Sequence, residues 1–310
     1  MTRIAVVAHA GKTIGGGLQE LRETLSQAGV GDPIWHEVPK SRFAPKRVRR
    51  ALKDGAELVF VWGGDGMVQR CADELAGKDV PLAIIPAGTA NLFASSLDLP
   101  EEVGDAVRVG LCGSDRQLDL GKVNGERFAA MAGAGLDARM IRDAEGGLKE
   151  RFGRLSYIWT ASKNLRSDPF KARIEVNGEL WYKGKASCVL LGNIGSLFSG
   201  VEVFDDAHPD DGVLEIGVSD AEGLGQWART LARTAVGTTA KSPFVQATKA
   251  KKIDVELNRK VRYELDGGTR PTAKHLKGKV ECKAIAVRVP TPVPPAAPLS
   301  ADASDEGGRP

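Results

Sequence analysis

The residues Gly63-Gly64-Asp65-Gly66 follow an apolar run, Leu58–Trp62, and lead into helical spacing over Met67–Leu75. Three glycines let the backbone turn sharply and approach a ligand without Cβ contacts. The free N–H groups at the start of the following helix suit a phosphate. Asp65 would repel a bare phosphate, so it needs a cation or a proton to handle. The plainer alternative is a glycine-rich βα turn with Asp65 as N-cap. The order strand, loop, helix favours the phosphate site. A second loop, Pro86-Ala87-Gly88-Thr89-Ala90-Asn91, again places a glycine, a hydroxyl and an amide before a helix. Alone it reads as a cap. Two such loops at adjacent strand ends carry more weight, because ligands of open α/β sheets sit outside the carboxyl ends of the strands.

Two acidic turns could also do chemistry. Asp210-Asp211-Gly212 lies in an acidic segment, Val203–Leu214. It could offer oxygens to Mg²⁺, a hard ion, although on the residues alone a surface Asp-Gly turn is the better reading. Asp266-Gly267-Gly268 follows the strand-like VRYEL and reads either as a hairpin turn or as an exposed catalytic carboxylate. Two lookalikes fail. Gly11-Lys12-Thr13 resembles the end of a P-loop, but Val6 stands where its first glycine belongs. Gly133–Ala138 fits a dinucleotide pattern but follows a hairpin and does not open a βαβ unit. The basic run Lys46, Arg47, Arg49, Arg50 and Lys53 is either a solvated helix face or a surface for anionic lipid.

The elements that must position these groups come in two styles. Up to residue 117, buried strands (Ile4–Ala8, Leu58–Trp62, Pro81–Pro86) alternate with helices: one carries Leu18, Leu21 and Leu25, one opens at Pro45, one covers Met67–Leu75 and one Ala90–Leu97. That alternation predicts βαβ units and a mostly parallel sheet. From Leu118 the pattern is β-rich. Asn124-Gly125 and Asn177-Gly178 predict two-residue hairpins, the first joining LDLGKV to ERFAAMAG. One helix, Arg154–Leu165, interrupts. The strand-like runs SCVLLGNI, GVLEIGV, KIDVEL and VRYEL follow. The expected class is therefore α/β with two domains: residues 1–117 plus about 275–289, and a β-rich sandwich-like unit at 118–274. The Pro/Ala-rich stretch 290–310 reads as disordered.

Composition narrows the function. With 43 Lys+Arg against 40 Asp+Glu, the net charge of +3 gives little support to a nucleic-acid partner. No apolar run approaches a spanning length, and the first residues carry no secretory pattern. The four cysteines are widely spaced, which suits a reducing cytoplasm and neither a zinc site nor a disulfide framework. The 37 glycines lack a three-residue period, so they serve loops and turns.

Together these motifs resemble the diacylglycerol kinase catalytic family, which includes sphingosine kinases and bacterial soluble lipid kinases. The resemblance covers about residues 1–289. It rests on GGDG (63–66), PAGTAN (86–91), LDLGKVNG (118–125), GAGLDA (133–138), PDDGVLEI (209–216) and LDG (265–267), in the family's order. It implies a nucleotide-binding α/β domain and a sandwich-like domain, with ATP and a lipid meeting in the cleft and the last strand returning to the first domain. By motif match, Gly63, Gly64, Asp65, Gly66, Gly88, Thr89 and Asn91 would hold ATP, with Lys12 from the shortened N-terminal motif. Asp266 would be the general base. Asp210, Asp211 and the Val213 carbonyl would bind Mg²⁺. Asp119 would join the acidic network, and Asp137 would meet the lipid head group. The resemblance further implies a cytoplasmic protein that visits the membrane surface, with a homodimer left open.

Three departures stand out, the first being the N-terminal Asn-Pro-x-Ser-Gly motif, reduced here to Ala8-His9-Ala10-Gly11-Lys12. Met67 occupies a position where the family commonly has Thr, and Gly268 one where it commonly has Glu. They motivate a rival from another class, a non-catalytic lipid or nucleotide sensor. NAD kinase shares GGDG, but its Asn-Glu pair and TPTGSTAY-like segment are missing here. Phosphofructokinase shares GGDG without the β-rich second half. Retention of Asp65, Asp211 and Asp266 keeps a lipid kinase as the leading expectation.

Overall fold

A computed structural model describes residues 2–135, 169–197, 201–204, 206–221 and 245–291. The expected helix at 154–165, Asp137 and the tail from 292 lie outside the described residues. The first part runs β1 (Ile4–His9), α1 (Gly17–Gln27), β2 (Ile34–Val38), α2 (Ala44–Lys53), β3 (Leu58–Gly63), α3 (Asp65–Leu75), β4 (Leu82–Pro86), α4 (Leu92–Ser96) and α5 (Val103–Cys112). The β-rich part contains β5 (Ser114–Val123), β6 (Glu126–Phe128), β7 (Met131–Ala134), β8 (Phe170–Val176), β9 (Glu179–Ala186) and β10 (Cys188–Gly192). It continues with the short β11 (Ser196–Leu197) and β12 (Val201–Glu202), then β13 (Leu214–Ser219), β14 (Val245–Ala250), β15 (Lys252–Leu265) and β16 (Gly268–Val289).

The first strands lie in the order β4-β3-β1-β2, all parallel. Both faces are buried, and alternation decides which residue goes where. Ala5, Val7, Val59, Val61, Leu82 and Ile84 face the layer of α2 and α3, with Val48, Met67, Cys71 and Leu75. Val6, Ala8, Phe60, Trp62, Ala83 and Ile85 face α1 and α5, with Leu21, Leu25, Val103 and Val107. A strand buried on both sides must be apolar throughout, which is why these strands read as unbroken runs. Both β2 and α5 went without an expected counterpart.

The β-rich part has its own core, built on Phe128, Phe170, Ile174, Leu191, Ile216, Val255 and Leu265 among others. Its strands are antiparallel, in the order β14-β13-β10-β7-β15-β16, with β8 and β9 branching from β15. Both Asn-Gly turns form as expected, with left-handed backbone at Asn124, Gly125, Asn177 and Gly178. KIDVEL and VRYEL are one strand, β15, with irregular register between Glu256 and Tyr263. ERFAAMAG does not make one strand. It breaks at Ala129-Ala130 into β6 and β7, for a reason that lies in the site. The strand β16 spans the point near 275 where the sequence suggests a boundary. It pairs with β15 and β5 and ends parallel to β4, Val287 opposite Leu82. No helix among the described residues is long and apolar enough to cross a membrane.

Charged groups fasten α3 to the β-rich part. Arg127 donates to Glu281 at 2.6 Å and to Asp73 at 3.1 Å. Lys279 and Lys122 reach the same Glu281 carboxylate at 2.8 and 3.2 Å. Burial alone would raise the Glu281 pKa, but these three cations overcome it and hold the group at about 2. A carboxyl depressed from its ordinary 4.5 stabilises the fold above that value, and the contribution is lost as pH falls towards 2. Glu281→Gln should therefore cost about 1 kcal/mol near neutral pH, allowing for solvent screening. Urea denaturation of both proteins at pH 7 and pH 3 checks this. The difference should shrink at pH 3, and a constant gap would remove the ionic explanation.

Candidate active site

The loop 63–66 leaves the carboxyl end of β3 and enters α3, and the loop 87–91 leaves β4 beside it. The two touch through glycine backbone. A Cβ on Gly88 would lie 2.4 Å from Gly64 Cα, and one on Gly64 would lie 2.8 Å from Gly88 Cα. No side chain fits at either position. Asn91, in left-handed backbone, closes its loop on itself. Its Oδ1 accepts the Gly88 N–H at 2.8 Å and its Nδ2 donates to the Gly88 carbonyl at 3.2 Å. Thr89 stands exposed.

Asp65 does not take the N-cap position that the plainer reading gave it. Gly64 is the N-cap of α3 and makes no side-chain bond there. Asp65 is the first helical residue, and its carboxylate turns to the neighbouring helix, accepting the Phe93 N–H of α4 at 3.3 Å. Burial raises its pKa, and the N–H groups at the start of α4 act in the opposite sense. Met67, in place of a hydroxyl, is buried in the core. Lys12 is half-buried, and its carbonyl accepts the Trp62 indole N–H at 3.0 Å. The pKa of nearby His9 is lowered by burial and by the Lys12 charge.

Asp266 lies in the hairpin turn that the sequence allowed, and its carboxylate is buried where the sequence suggested an exposed one. Leu265 and Gly268 pair across a two-residue turn, with left-handed backbone at Asp266 and Gly267. The Asp266 side chain is only 6% exposed. Three consecutive N–H groups converge on it: Ala129 at 2.7 Å, Ala130 at 2.9 Å and Met131 at 2.8 Å. The backbone must bend to aim all three at one carboxylate, and that bend is the break between β6 and β7. Burial pushes the Asp266 pKa up to about 7, the three N–H groups oppose it, and the charge of Asp65 adds to the rise. The turn carbonyl of Asp266 lies 3.9 Å from where a Cβ on Gly66 would be. Asp65 and Asp266 thus face one seam between the helical layer and the sandwich.

Asp119 lies in the same region but is spoken for. Its carboxylate accepts the Gly212 N–H at 2.7 Å and the Lys283 N–H at 2.7 Å. Buried Asn193, which the sequence reading passed over, donates to the carbonyls of Asp119 at 2.9 Å and Ala129 at 2.8 Å. It joins the Asp119 strand to the bend under Asp266. Its one signal is an amide at the end of the apolar run VLLG. Asp210 turns to Arg116, at 2.6 Å. Asp211 accepts the Val213 N–H at 3.1 Å. The Lys249 ammonium lies 3.9 Å from Asp211, 3.3 Å from Glu215 and 3.2 Å from the Asp206 carbonyl. These hard oxygens already surround one cation, so Asp211 fits a place for Mg²⁺, while Asp210 would first have to leave Arg116.

Gly268 is covered by Arg270. A Cβ there would lie 2.7 Å from its guanidinium, whose Nη1 donates to the Gly268 carbonyl at 2.7 Å. Buried Arg270 also pairs with Glu126, through Nε at 2.7 Å and through Nη2, and reaches Gln69 of α3 at 3.3 Å. Burial would raise the Glu126 pKa, but Arg270, Arg70 and Gln69 bring it below the ordinary range.

Two family models cover most of the chain. The diacylglycerol kinase catalytic domain matches residues 4–123. The YegS C-terminal NAD kinase beta sandwich-like domain matches residues 130–289. The chain belongs to the diacylglycerol kinase catalytic family. It is similar to a diacylglycerol kinase of Bacillus subtilis, 27% identical over 81% of this chain and 83% of that one. It is also 27% identical to a protein of Enterobacter sp. named "Probable lipid kinase YegS-like", over 92% and 95% of the two chains. The fold matches a crystal structure of a diacylglycerol kinase from Bacillus anthracis with a TM-score of 0.70, at 21% identity, covering 93% and 96%. The two-domain architecture, a catalytic α/β domain followed by a sandwich-like domain, is the family's.

The loop contact gives a direct test. Gly88→Ala drives a methyl into the Gly64 backbone, which no rotamer change relieves. It should cost about 1–3 kcal/mol in urea denaturation, whereas exposed Thr89→Ala should stay within about 0.5 kcal/mol. Equal stability of the two variants would mean the loops do not abut.

Proposed function

We propose that the protein transfers the γ-phosphate of ATP to a hydroxyl of diacylglycerol or a related lipid. The observation that carries this reading is Asp266: a buried carboxylate with a pKa near 7, held by three N–H groups and facing Asp65 across the seam. A general base works best with a pKa near the working pH. Asp266 takes the proton of the lipid hydroxyl, whose oxygen forms the bond to phosphorus as the bond to the ADP oxygen breaks. The loop backbone at Gly63, Gly64, Gly66 and Gly88, with the exposed Thr89 beside it, receives the phosphates. Asn91 serves this by fixing the loop, and Lys12, its carbonyl tied to Trp62 at the end of β3, adds positive charge. Mg²⁺, when bound, neutralises charge on the transferring group. Asp211 is the residue to hold it, with Asp210 and the Val213 carbonyl as the further oxygens the family pattern assigns. Asp119 keeps the 209–212 turn in place for this. Asp137 is assigned to the lipid head group by motif alone.

Incubation with Mg²⁺, labelled ATP and a panel of lipids, NAD and sugar phosphates tests the reading. Label should enter a lipid, and Asp266→Ala should reduce it at least about a hundredfold. Because Asp266 is active only when deprotonated, kcat/KM should rise with pH to a plateau, with a midpoint near 7. A flat profile between pH 5.5 and about 8.5 would rule out Asp266 as the base. ATP binding with no transfer to any acceptor would instead favour the sensor, for which buried Met67 and Gly268 are the grounds. Label in NAD would give the NAD kinase reading.

A further inference from the structure

The helix α2 and the turn before it form a surface that packing does not account for. The helix buries Ala44, Val48 and Ala51 and carries no acidic residue in its first turn. Outward it shows Lys46, Arg47, Arg49, Arg50 and Lys53. Arg49 is paired with Glu74 and Arg50 with Asp54. Arg42, Lys46, Arg47 and Lys53 have no carboxylate partner among the described residues. Lys46 and Arg47 sit in the first helical turn, where the helix dipole disfavours cations, so the helix gains nothing from them there.

Phe43 lies in the middle of this charge. It is 44% exposed and is one of two large exposed apolar side chains among the described residues. The Arg42 guanidinium stands over its ring at 4.9 Å. The position is as informative as the composition. Ser41, two residues earlier, has its Oγ 4.0 Å from where a Cβ on Gly66 would be, and the Asp266 carbonyl is 3.9 Å from the same point. The turn that carries Arg42 and Phe43 therefore stands at the rim of the seam that holds Asp65 and Asp266, and Lys46 and Arg47 follow it in the first turn of α2.

We propose that Phe43, Arg42, Lys46 and Arg47 form the surface by which the protein docks on an anionic lipid bilayer, with Phe43 entering the interface. The inference rests on the lipid-kinase reading for its purpose. Unpaired cations attract acidic head groups, and an apolar aromatic ring suits the acyl boundary below them. Docking on this face brings the mouth of the seam to the bilayer that holds the substrate. Two other surfaces fit less well. The groove of about 590 Å³ lined by Lys122, Lys252, Lys277 and Lys279 is interleaved with Glu175 and Asp254 and has no exposed aromatic. The exposed Leu180 lies on β9, which among the described residues pairs only with β8.

Co-sedimentation with vesicles of phosphatidylcholine, with and without phosphatidylglycerol, tests the proposal at low and high salt. The full chain should bind the anionic vesicles, and high salt should release it. Each neutralised cation should weaken binding about fivefold, so Arg42→Gln with Lys46→Gln and Arg47→Gln should weaken it roughly a hundredfold. Phe43→Ser should weaken it with less effect on the salt dependence. Both variants should keep the wild-type melting temperature. Equal binding to neutral vesicles would overturn the proposal. So would loss of binding in Leu180→Asp or Lys252→Gln/Lys277→Gln in place of these variants, and so would capture of duplex DNA without vesicle binding. Activity on a short-chain, water-soluble diacylglycerol separates the two readings. The docking variants should retain it, because they touch no reacting group. A wild-type protein that docks but phosphorylates neither form would sink the kinase reading and leave the docking surface standing.

Discussion

A carboxylate buried against three backbone N–H groups constrains more of this molecule than any other contact. Asp266 receives the N–H groups of Ala129, Ala130 and Met131, so the chain must bend where it would otherwise continue as a strand. The bend separates β6 from β7 and lets β7 pair with both β10 and β15. The tip of the β15–β16 hairpin is pinned at the same time, because the Asp266 N–H donates to the Met131 carbonyl at 2.8 Å. A buried ionisable group left unpaired would cost several kcal/mol. Here the N–H groups stabilise the anion while burial and Asp65 oppose it. The balance leaves a group that changes charge near neutrality.

The helical side of the seam answers with a different device. Two loops from adjacent parallel strands meet glycine against glycine, in a contact too close for any side chain. Asp65 and Asn91 secure this arrangement from within, one bonding to the start of α4 and the other to Gly88. The residues that the motif brings to mind as ligand contacts are thus partly structural. They keep the backbone of the two loops in shape.

The parallel sheet was legible in the sequence because strands buried on both faces must be continuous apolar runs. The Asn-Gly hairpins were legible because few other pairs tolerate left-handed backbone at both positions. The strand β2 was not, since IWHEV is a half-exposed edge. The helix α5 was not, since its fit depends on Gly110 lying against the Phe60 ring, a contact far away in sequence. The same holds for the site. The motif loops and the Asp-Gly turn could be located from residue types. That Asp210 would pair with Arg116, that Asn193 would bridge two strands and that Arg270 would reach Gln69 of α3 are facts of partner choice across about 70 to 200 residues, beyond the reach of local pattern.

The strand β16 belongs to both halves of the molecule, and this limits how the cleft can move. A strand paired to the sandwich at one end and to β4 at the other is a shared beam, so the halves cannot swing on a free linker. The beam has one soft point, where its register with β5 shifts between Glu281 and Ile285 and Lys283 adopts a left-handed backbone. Asp119 holds the N–H of that residue and, with its other oxygen, the turn at Gly212. Opening or closing would therefore proceed by torsion about this clamped joint. The carboxylate that fastens it also grips the loop beside the candidate metal ligands, so movement of the joint and the arrangement of those ligands are mechanically one event.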